Sequence, residues 1–228
     1  MALPRFDACI FDMDGLLLDT ERLFVSCWME AGAAMGFHLA EDLVLATVGL
    51  SKFQTFELLR SDQGQSFPAE EVRELRNRLA LDRIRSTGVP VKPGARRLLG
   101  LLAARGVPYA VATSTDRARA IDLLTQSDIL PGLGALVCGD EIEHPKPAPD
   151  IYLEAARQLD VSSAACIVFE DSAPGLTAAY RAGMVPIHVP DIGVVPEATR
   201  RLAYVVCESL TDVIPLIDDA LRSRSEAN

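Results

Sequence analysis

Ala8-Cys9-Ile10-Phe11-Asp12-Met13-Asp14-Gly15 opens with four apolar residues and closes on two carboxylates and a glycine. Four apolar residues in a row, without the polar alternation of a half-exposed strand, suit a strand buried on both faces, as in a parallel sheet covered by helices. Ligands of such sheets bind beyond the carboxyl ends of the strands, so Asp12 and Asp14 emerge where a site is expected. Two carboxylates at alternate positions repel each other unless a cation holds them together. Magnesium, which takes oxygen ligands and keeps several waters, suits that role. Gly15 permits the tight turn that carries the chain onward. A polar strand end closing in an Asp-Gly turn accounts for the same letters, and this segment alone leaves both readings open.

Similar apolar runs recur at residues 109–112, 136–138, 166–169, 185–189 and 204–206. Helical patterns fall between them, at Ala95–Ala104 after Pro93-Gly94, at Arg117–Gln126, and at 150–159 and 174–182. Gly106 and Gly183 lie just past two of these, where a left-handed residue closes a helix. Strand and helix alternating at this scale predict an α/β fold, a doubly wound, Rossmann-like parallel sheet. Residues 20–87 break the alternation. They carry no convincing strand, and Val72, Leu75, Leu79 and Ile84 follow the Pro68 break at helical spacing. A helical block inserted directly after the first strand predicts a small all-helical cap domain, residues 20–88. The α/β core would then be 1–19 and 89–228, with hinges at 16–20 and 89–93.

The chain's 228 residues, 49% of them hydrophobic, suffice for one good core and a smaller appended domain. Its net charge of −10 repels a nucleic-acid backbone, so no nucleic-acid partner is expected. An anionic small molecule stays compatible, because a metal supplies a local positive field. The cysteines, Cys9, Cys27, Cys138, Cys166 and Cys207, are odd in number and form no C-x-x-C pair, which argues against a zinc site or a disulfide framework. Buried free thiols fit a reducing compartment. The acidic residues near the N-terminus do not suit a signal peptide, and no apolar run approaches a membrane span. The expectation is a cytoplasmic protein without a membrane partner, a monomer or a weak homo-oligomer.

Three further polar clusters follow predicted strands. Ala112-Thr113-Ser114-Thr115 offers hydroxyls and backbone N–H groups that suit a phosphate oxygen at the start of a helix, and an ordinary N-cap explains it as well. In His144-Pro145-Lys146-Pro147-Ala148-Pro149-Asp150 the prolines beside Lys146 restrict the backbone and so fix where its ammonium points. A solvated lysine in a proline-rich loop is the plainer reading. Phe169-Glu170-Asp171-Ser172-Ala173-Pro174-Gly175 adds a second acidic pair able to ligate a metal, and Ser172 is placed to cap the helix behind it. Each cluster has a dull explanation by itself. Two acidic pairs, a hydroxyl and a lysine at successive strand ends together describe a metal-supported phosphate site.

On these four motifs the chain resembles the haloacid dehalogenase superfamily over essentially its whole length, in the phosphatase and phosphomutase branch with a helical cap after the first strand. The resemblance implies a phosphoric monoester hydrolase of a small phosphorylated metabolite. It implies that Asp12 is the nucleophile and forms an aspartyl-phosphate, and that Asp14 is the acid and then the base. Thr113, Ser114 and Lys146 would hold the phosphate. Magnesium would be bound by Asp12, the carbonyl of Asp14 and Asp171, with Glu170 completing the shell through water.

Dehalogenases of this superfamily lack an aspartate two residues after the nucleophile, so Asp14 favours phosphoryl chemistry. β-Phosphoglucomutases share Asp12 to Asp14 and Asp19-Thr20, yet carry a cap histidine where this chain has Phe24. They also place an arginine in the cap where Gly49-Leu50-Ser51-Lys52 supplies a lysine, a point charge in place of a bidentate fork. Both departures favour hydrolysis over a mutase. A non-catalytic regulator that binds a phosphorylated ligand is the third reading, and the intact motifs rank it last. The run from Phe11 to Leu23 is similar to that of pseudouridine-5′-phosphatases and of glycerol- or sugar-phosphate phosphatases, without choosing a substrate. Pro145 stands where many relatives have glycine. In the cap, Trp28 is a candidate to stack on substrate, or else cap core, and Lys52 a candidate for a distal anion, or else a surface lysine. For Glu21 and His38 a surface role is the expectation.

Overall fold

Apolar residues at both odd and even positions of the first strand need cover on both faces, and the fold supplies it. The computed structural model describes residues 3–226. Strand β1 (Ala8–Phe11) leads into four helices, α1 (Thr20–Ala34), α2 (Glu41–Leu45), α3 (Lys52–Gln63) and α4 (Ala69–Thr87). There follow α5 (Ala95–Ala104), β2 (Tyr109–Thr113), α6 (Arg117–Gln126), β3 (Ala135–Cys138), α7 (Asp150–Gln158), β4 (Cys166–Glu170) and α8 (Ala173–Arg181). The chain then forms β5 (Val185–His188), α9 (Glu197–Arg200), β6 (Val205–Val206) and α10 (Leu210–Glu226). The six strands make one sheet in the order β3-β2-β1-β4-β5-β6, parallel throughout. This is the doubly wound α/β fold expected, and the order reverses direction between β1 and β4, the place where such sheets open a ligand crevice.

The period of two along each strand divides the core. Cys9, Phe11, Val111, Ile167 and Phe169 face one layer with Leu98, Leu102, Leu123, Val213 and Ile217 of α5, α6 and α10. Ala8, Ile10, Ala110, Ala112 and Val168 face the other, with Ile151, Tyr152, Ala155 and Ala178 of α7 and α8. Alanines on this second face let the helices approach the sheet closely. Phe11 and Phe169 stack at 4.7 Å between ring centroids, locking β1 to β4 directly beneath the crevice.

Helices α1 to α4 have their own apolar centre, with Val25, Trp28, Leu39, Phe56, Leu59, Phe67 and Val72 buried together. The chain passes into and out of this block side by side. Leu18 and Val91 form an antiparallel bridge, Asp19 N donates to Pro90 O, and Lys92 N donates to Leu17 O, both at 2.9 Å. Ion pairs surround that crossing. Asp191 Oδ1, just after β5, accepts from Arg22 at 2.7 Å and Lys92 at 2.6 Å, and both cations also reach Asp19.

Three strands end or begin one residue outside the predicted runs, so Thr113 and Glu170 close β2 and β4 and Ala135 opens β3. The run at 204–206 shortens to Val205–Val206, an edge strand with one neighbour. The sequence reading assigns no helix beyond residue 206, yet α10 packs Leu210, Val213, Ile217 and Leu221 at helical spacing into the core. Its early Pro215 disguises the pattern, since proline ordinarily argues against a helix interior. Because Ile217 is fully buried, Ile217→Ala should lower the unfolding free energy by about 2–5 kcal/mol. A loss of less than about 0.5 kcal/mol from urea unfolding would mean α10 is dispensable to the core.

Candidate active site

Five of the residues singled out in the sequence converge on one cleft of about 610 Å³. Asp12 and Asp14 follow β1, Thr113 ends β2, Asp171 follows β4, and Lys146 arrives on the proline-rich loop after β3; all five line the cleft. The Lys146 ammonium is buried. It donates to Asp12 Oδ1 at 2.5 Å, to Glu170 Oε1 at 2.7 Å and to the Ala112 carbonyl at 3.2 Å. Its peptide bond to Pro147 is cis.

Glu170 lies behind this pair and does not line the cleft. Oε1 also accepts from the Tyr152 hydroxyl at 2.7 Å, and Oε2 accepts from the Ser172 amide and hydroxyl at 2.9 Å each. The carboxylate lies against Gly175, where any Cβ would overlap it, so the glycine at the start of α8 makes room for the charge. Ser172 caps α8 as expected, accepting from Gly175 N at 3.1 Å. Burial works to raise the Glu170 carboxyl, but Lys146, Tyr152 and Ser172 outweigh it and hold it below its ordinary value.

Asp14 is steadied by hydroxyls. Thr20 Oγ1 donates to its Oδ1 at 2.6 Å and Thr115 Oγ1 to its Oδ2 at 2.7 Å, with Thr113 Oγ1 at 3.5 Å. Thr20 stands at the start of α1 and Thr115 beyond β2, so the carboxylate is gripped from the helical block and from the core. Ser114 is exposed at the cleft.

The remaining charge is crowded. Burial, with Glu170 and Asp14 nearby, pushes Asp12 up to about 7 against the pull of Lys146. Burial first, then Glu170 and Asp12, drives Asp171 well above the usual carboxylate range. Asp191 Oδ2 is shut off from solvent with no hydrogen-bond partner among the described residues, and it faces the same spot as Asp171 Oδ2 across Gly15. At Gly15, with φ +85°, a side chain would collide with Asp171. Among the described residues no three His, Cys, Asp or Glu side chains form a ready cage. Two hard carboxylates, a backbone carbonyl and room for water are what magnesium uses, whereas zinc wants a closed set of nitrogen or sulfur ligands. The donor set fits the former.

The cap candidates divide. Trp28 and Lys52 both line the cleft; Trp28 is only 4% exposed and belongs to the apolar centre of the helical block, and the Lys52 ammonium rests 5.4 Å from the Phe56 ring. His38 lies exposed away from the cleft, as expected. Glu21 differs from expectation. It lines the cleft, and burial together with Asp14 pushes its carboxyl up to about 8. Sequence reasoning also missed Arg73, Arg76 and Arg119, which line the same cleft, and Asp191 behind it.

A cleft of this make-up, at the switch point of a doubly wound sheet and beside the helical block, defines a hydrolase of phosphoric monoesters. The chain belongs to the haloacid dehalogenase-like hydrolase family, whose model matches residues 9–189. It is 36% identical over 225 residues to a probable pseudouridine-5′-phosphatase of Drosophila melanogaster, covering 93% of this chain and 94% of that one. It is 31% identical over 220 residues to hexitol phosphatase B of Escherichia coli O157:H7, covering 93% and 97%. The fold matches a structure of CbbY from Rhodobacter sphaeroides in complex with phosphate, with a TM-score of 0.78, 26% identity, and 93% and 99% of the two chains covered.

The raised Glu21 carboxyl has a consequence for stability. Between its ordinary value of 4.5 and about 8 the folded chain keeps a proton that the unfolded chain has lost. Stability from this group therefore falls as pH rises through that window. Urea unfolding in chelator at pH 5.5 and 8.5 should show Glu21→Gln gaining stability relative to wild type at the higher pH; an equal offset at both would remove the assignment.

Proposed function

We propose that the protein is a magnesium-dependent phosphatase of a small phosphorylated metabolite, a sugar phosphate, polyol phosphate or nucleotide-like monoester, working through an aspartyl-phosphate on Asp12. The observation that carries this reading is the buried Lys146 ammonium 2.5 Å from Asp12 Oδ1. With Oδ1 tied, Oδ2 is the oxygen left to attack phosphorus. Asp14 gives its proton to the leaving oxygen, and the Asp12–phosphorus bond forms as the ester bond breaks. Asp14, now a carboxylate held by Thr20 and Thr115, takes a proton from a water that attacks the same phosphorus, releasing phosphate and restoring Asp12.

Thr113, Ser114 and Lys146 hold the phosphate oxygens. Asp12, the Asp14 carbonyl and Asp171 would hold magnesium, and Glu170, its oxygens already shared, would reach it through water. When bound, the cation neutralises phosphoryl charge and the repulsion among these carboxylates. Residues 20–88 act as a cap that closes over the site and excludes water, with Trp28 and Lys52 reading the substrate. The phosphatase names of the relatives support hydrolysis. So does Phe24, which lines the cleft and has no imidazole to move a sugar proton as a mutase would need. Five free, buried cysteines favour a reducing cytoplasmic setting. The acidic charge favours a chain that works without nucleic acid or membrane, as a monomer or weak homo-oligomer.

Phosphate release from a panel of phosphorylated metabolites should require magnesium and vanish in chelator. Asp12→Asn should abolish it without unfolding the protein. Silence of the folded wild type across the panel would pass the case to the mutase or the ligand-binding regulator. Asp14→Asn should slow turnover by about 10²–10⁴-fold with little change in substrate affinity, and acid-quenched protein should then carry phosphate on Asp12. An equal loss of affinity would assign Asp14 to binding.

A further inference from the structure

The cleft holds two guanidinium groups that the phosphoryl chemistry does not use. Arg76 comes from α4 in the helical block and Arg119 from α6 in the core, and both line the cavity. Arg76 Nε and Arg119 Nε and Nη2 are shut off from solvent and have no hydrogen-bond partner among the described residues. Arg119 Nη1 donates to Asn77 Oδ1 of α4 at 3.1 Å, so this corner joins the two sides of the cleft. Among the described residues no carboxylate forms an ion pair with either arginine, although Asp14, Glu21 and Asp116 share the cavity. Three buried guanidinium nitrogens left without acceptors are costly, and such groups are rare unless a ligand completes them.

Aromatic rings back both groups. The guanidinium carbons of Arg76 and Arg119 lie 4.8 Å and 4.3 Å from the Phe24 ring, and Arg76 lies 5.0 Å from Trp28. Stacking on an aromatic face leaves the in-plane N–H edges to bind, the geometry in which arginine takes an oxyanion. Resting on the phosphatase reading above, we infer that Arg76 and Arg119 form a subsite for a second oxyanion, a carboxylate or another phosphate, at the far end of the phosphorylated substrate. The substrate class narrows to small phosphomonoesters with an anionic tail.

Electrostatics agree. Burial, then the neighbouring Arg119 and Arg73, lower Arg76 to about 9, and burial lowers Arg119 as well. Glu21 is a poor countercharge, because its own carboxyl is pushed up to about 8. An incoming oxyanion relieves the repulsion between the two arginines, whereas a neutral tail leaves it in place. One grip comes from each side of the cleft, so the same tail favours the closed arrangement.

The test measures binding to the full-length Asp12→Asn protein with magnesium, by calorimetry, so that turnover does not intervene. The ligands are a pentitol 5-phosphate, the matching aldonate with a carboxylate at C1, and the matching 1,5-bisphosphate. At least one anion-tailed compound should bind about 10-fold or more tightly than the neutral one, a difference of ~1.4 kcal/mol, and which one does so names the oxyanion. Arg76→Gln and Arg119→Gln in the same background should each erase most of that preference and leave the neutral ligand's affinity within about 3-fold. Equal affinity for all three ligands would overturn the inference, as would a preference unchanged in both folded variants. Wild-type phosphate release from the metabolite panel reports separately on the phosphatase reading, which silence across the whole panel would defeat.

Discussion

A single buried ammonium, shared between Asp12 and Glu170, organises the molecule's chemistry. Burying a charge is expensive unless it is paired and hydrogen-bonded, and Lys146 meets both conditions only if three strand ends are in register. Asp12 must leave β1, Glu170 must close the neighbouring β4, and the loop after β3 must cross over the Ala112 carbonyl. The Phe11–Phe169 stack enforces the first two from below. Gly175 and Tyr152 support the second condition, one by making room for Glu170 and the other by orienting it. The fold and the proposed nucleophile are in this sense one arrangement.

Around that fixed point the cleft is divided electrically. Near β1 and β4 carboxylates outnumber ammonium groups, and their mutual repulsion creates a place for a hard divalent cation. Toward α4 and α6 the excess is reversed, with Arg73, Arg76 and Arg119 facing the same cavity. A substrate that is anionic at both ends would match this polarity, with its reacting phosphate at the Lys146 end and its tail at the guanidinium pair. Net charge conceals the division: the chain is acidic overall, and the basic corner is visible only in three dimensions.

The parts legible in the sequence share one physical origin. Asp12, Asp14, Thr113, Lys146 and Asp171 each follow an apolar run, and strand ends of a parallel sheet are where function gathers. Asp191 follows Val189-Pro190 in the same way, and that signal was available. Arg76 gave no such cue, because α4 carries arginines at 73, 76, 78, 83 and 85, and only packing tells which of them face the cleft. Glu21 looked like an ordinary acidic residue in the first turn of a helix, where the dipole favours it. Glu170 is legible as one of the site's acids, but its attachment to Tyr152 joins residues 18 apart and leaves no trace in local spacing. Helix α10 had the right periodicity and the wrong residue, Pro215, for a propensity argument to find.

The paired crossing at Leu18 and Val91 has a bearing on how such an enzyme diversifies. Because the chain leaves the core and returns to it through adjacent hydrogen-bonded backbones, the intervening helices are attached at a single seam. Their length and sequence can change without shifting any strand of the sheet, much as a loop insertion is tolerated when its ends stay close together. If the helical block reads the substrate, as proposed, the seam makes it a replaceable cassette in which new specificities can arise while the rest of the site is inherited intact.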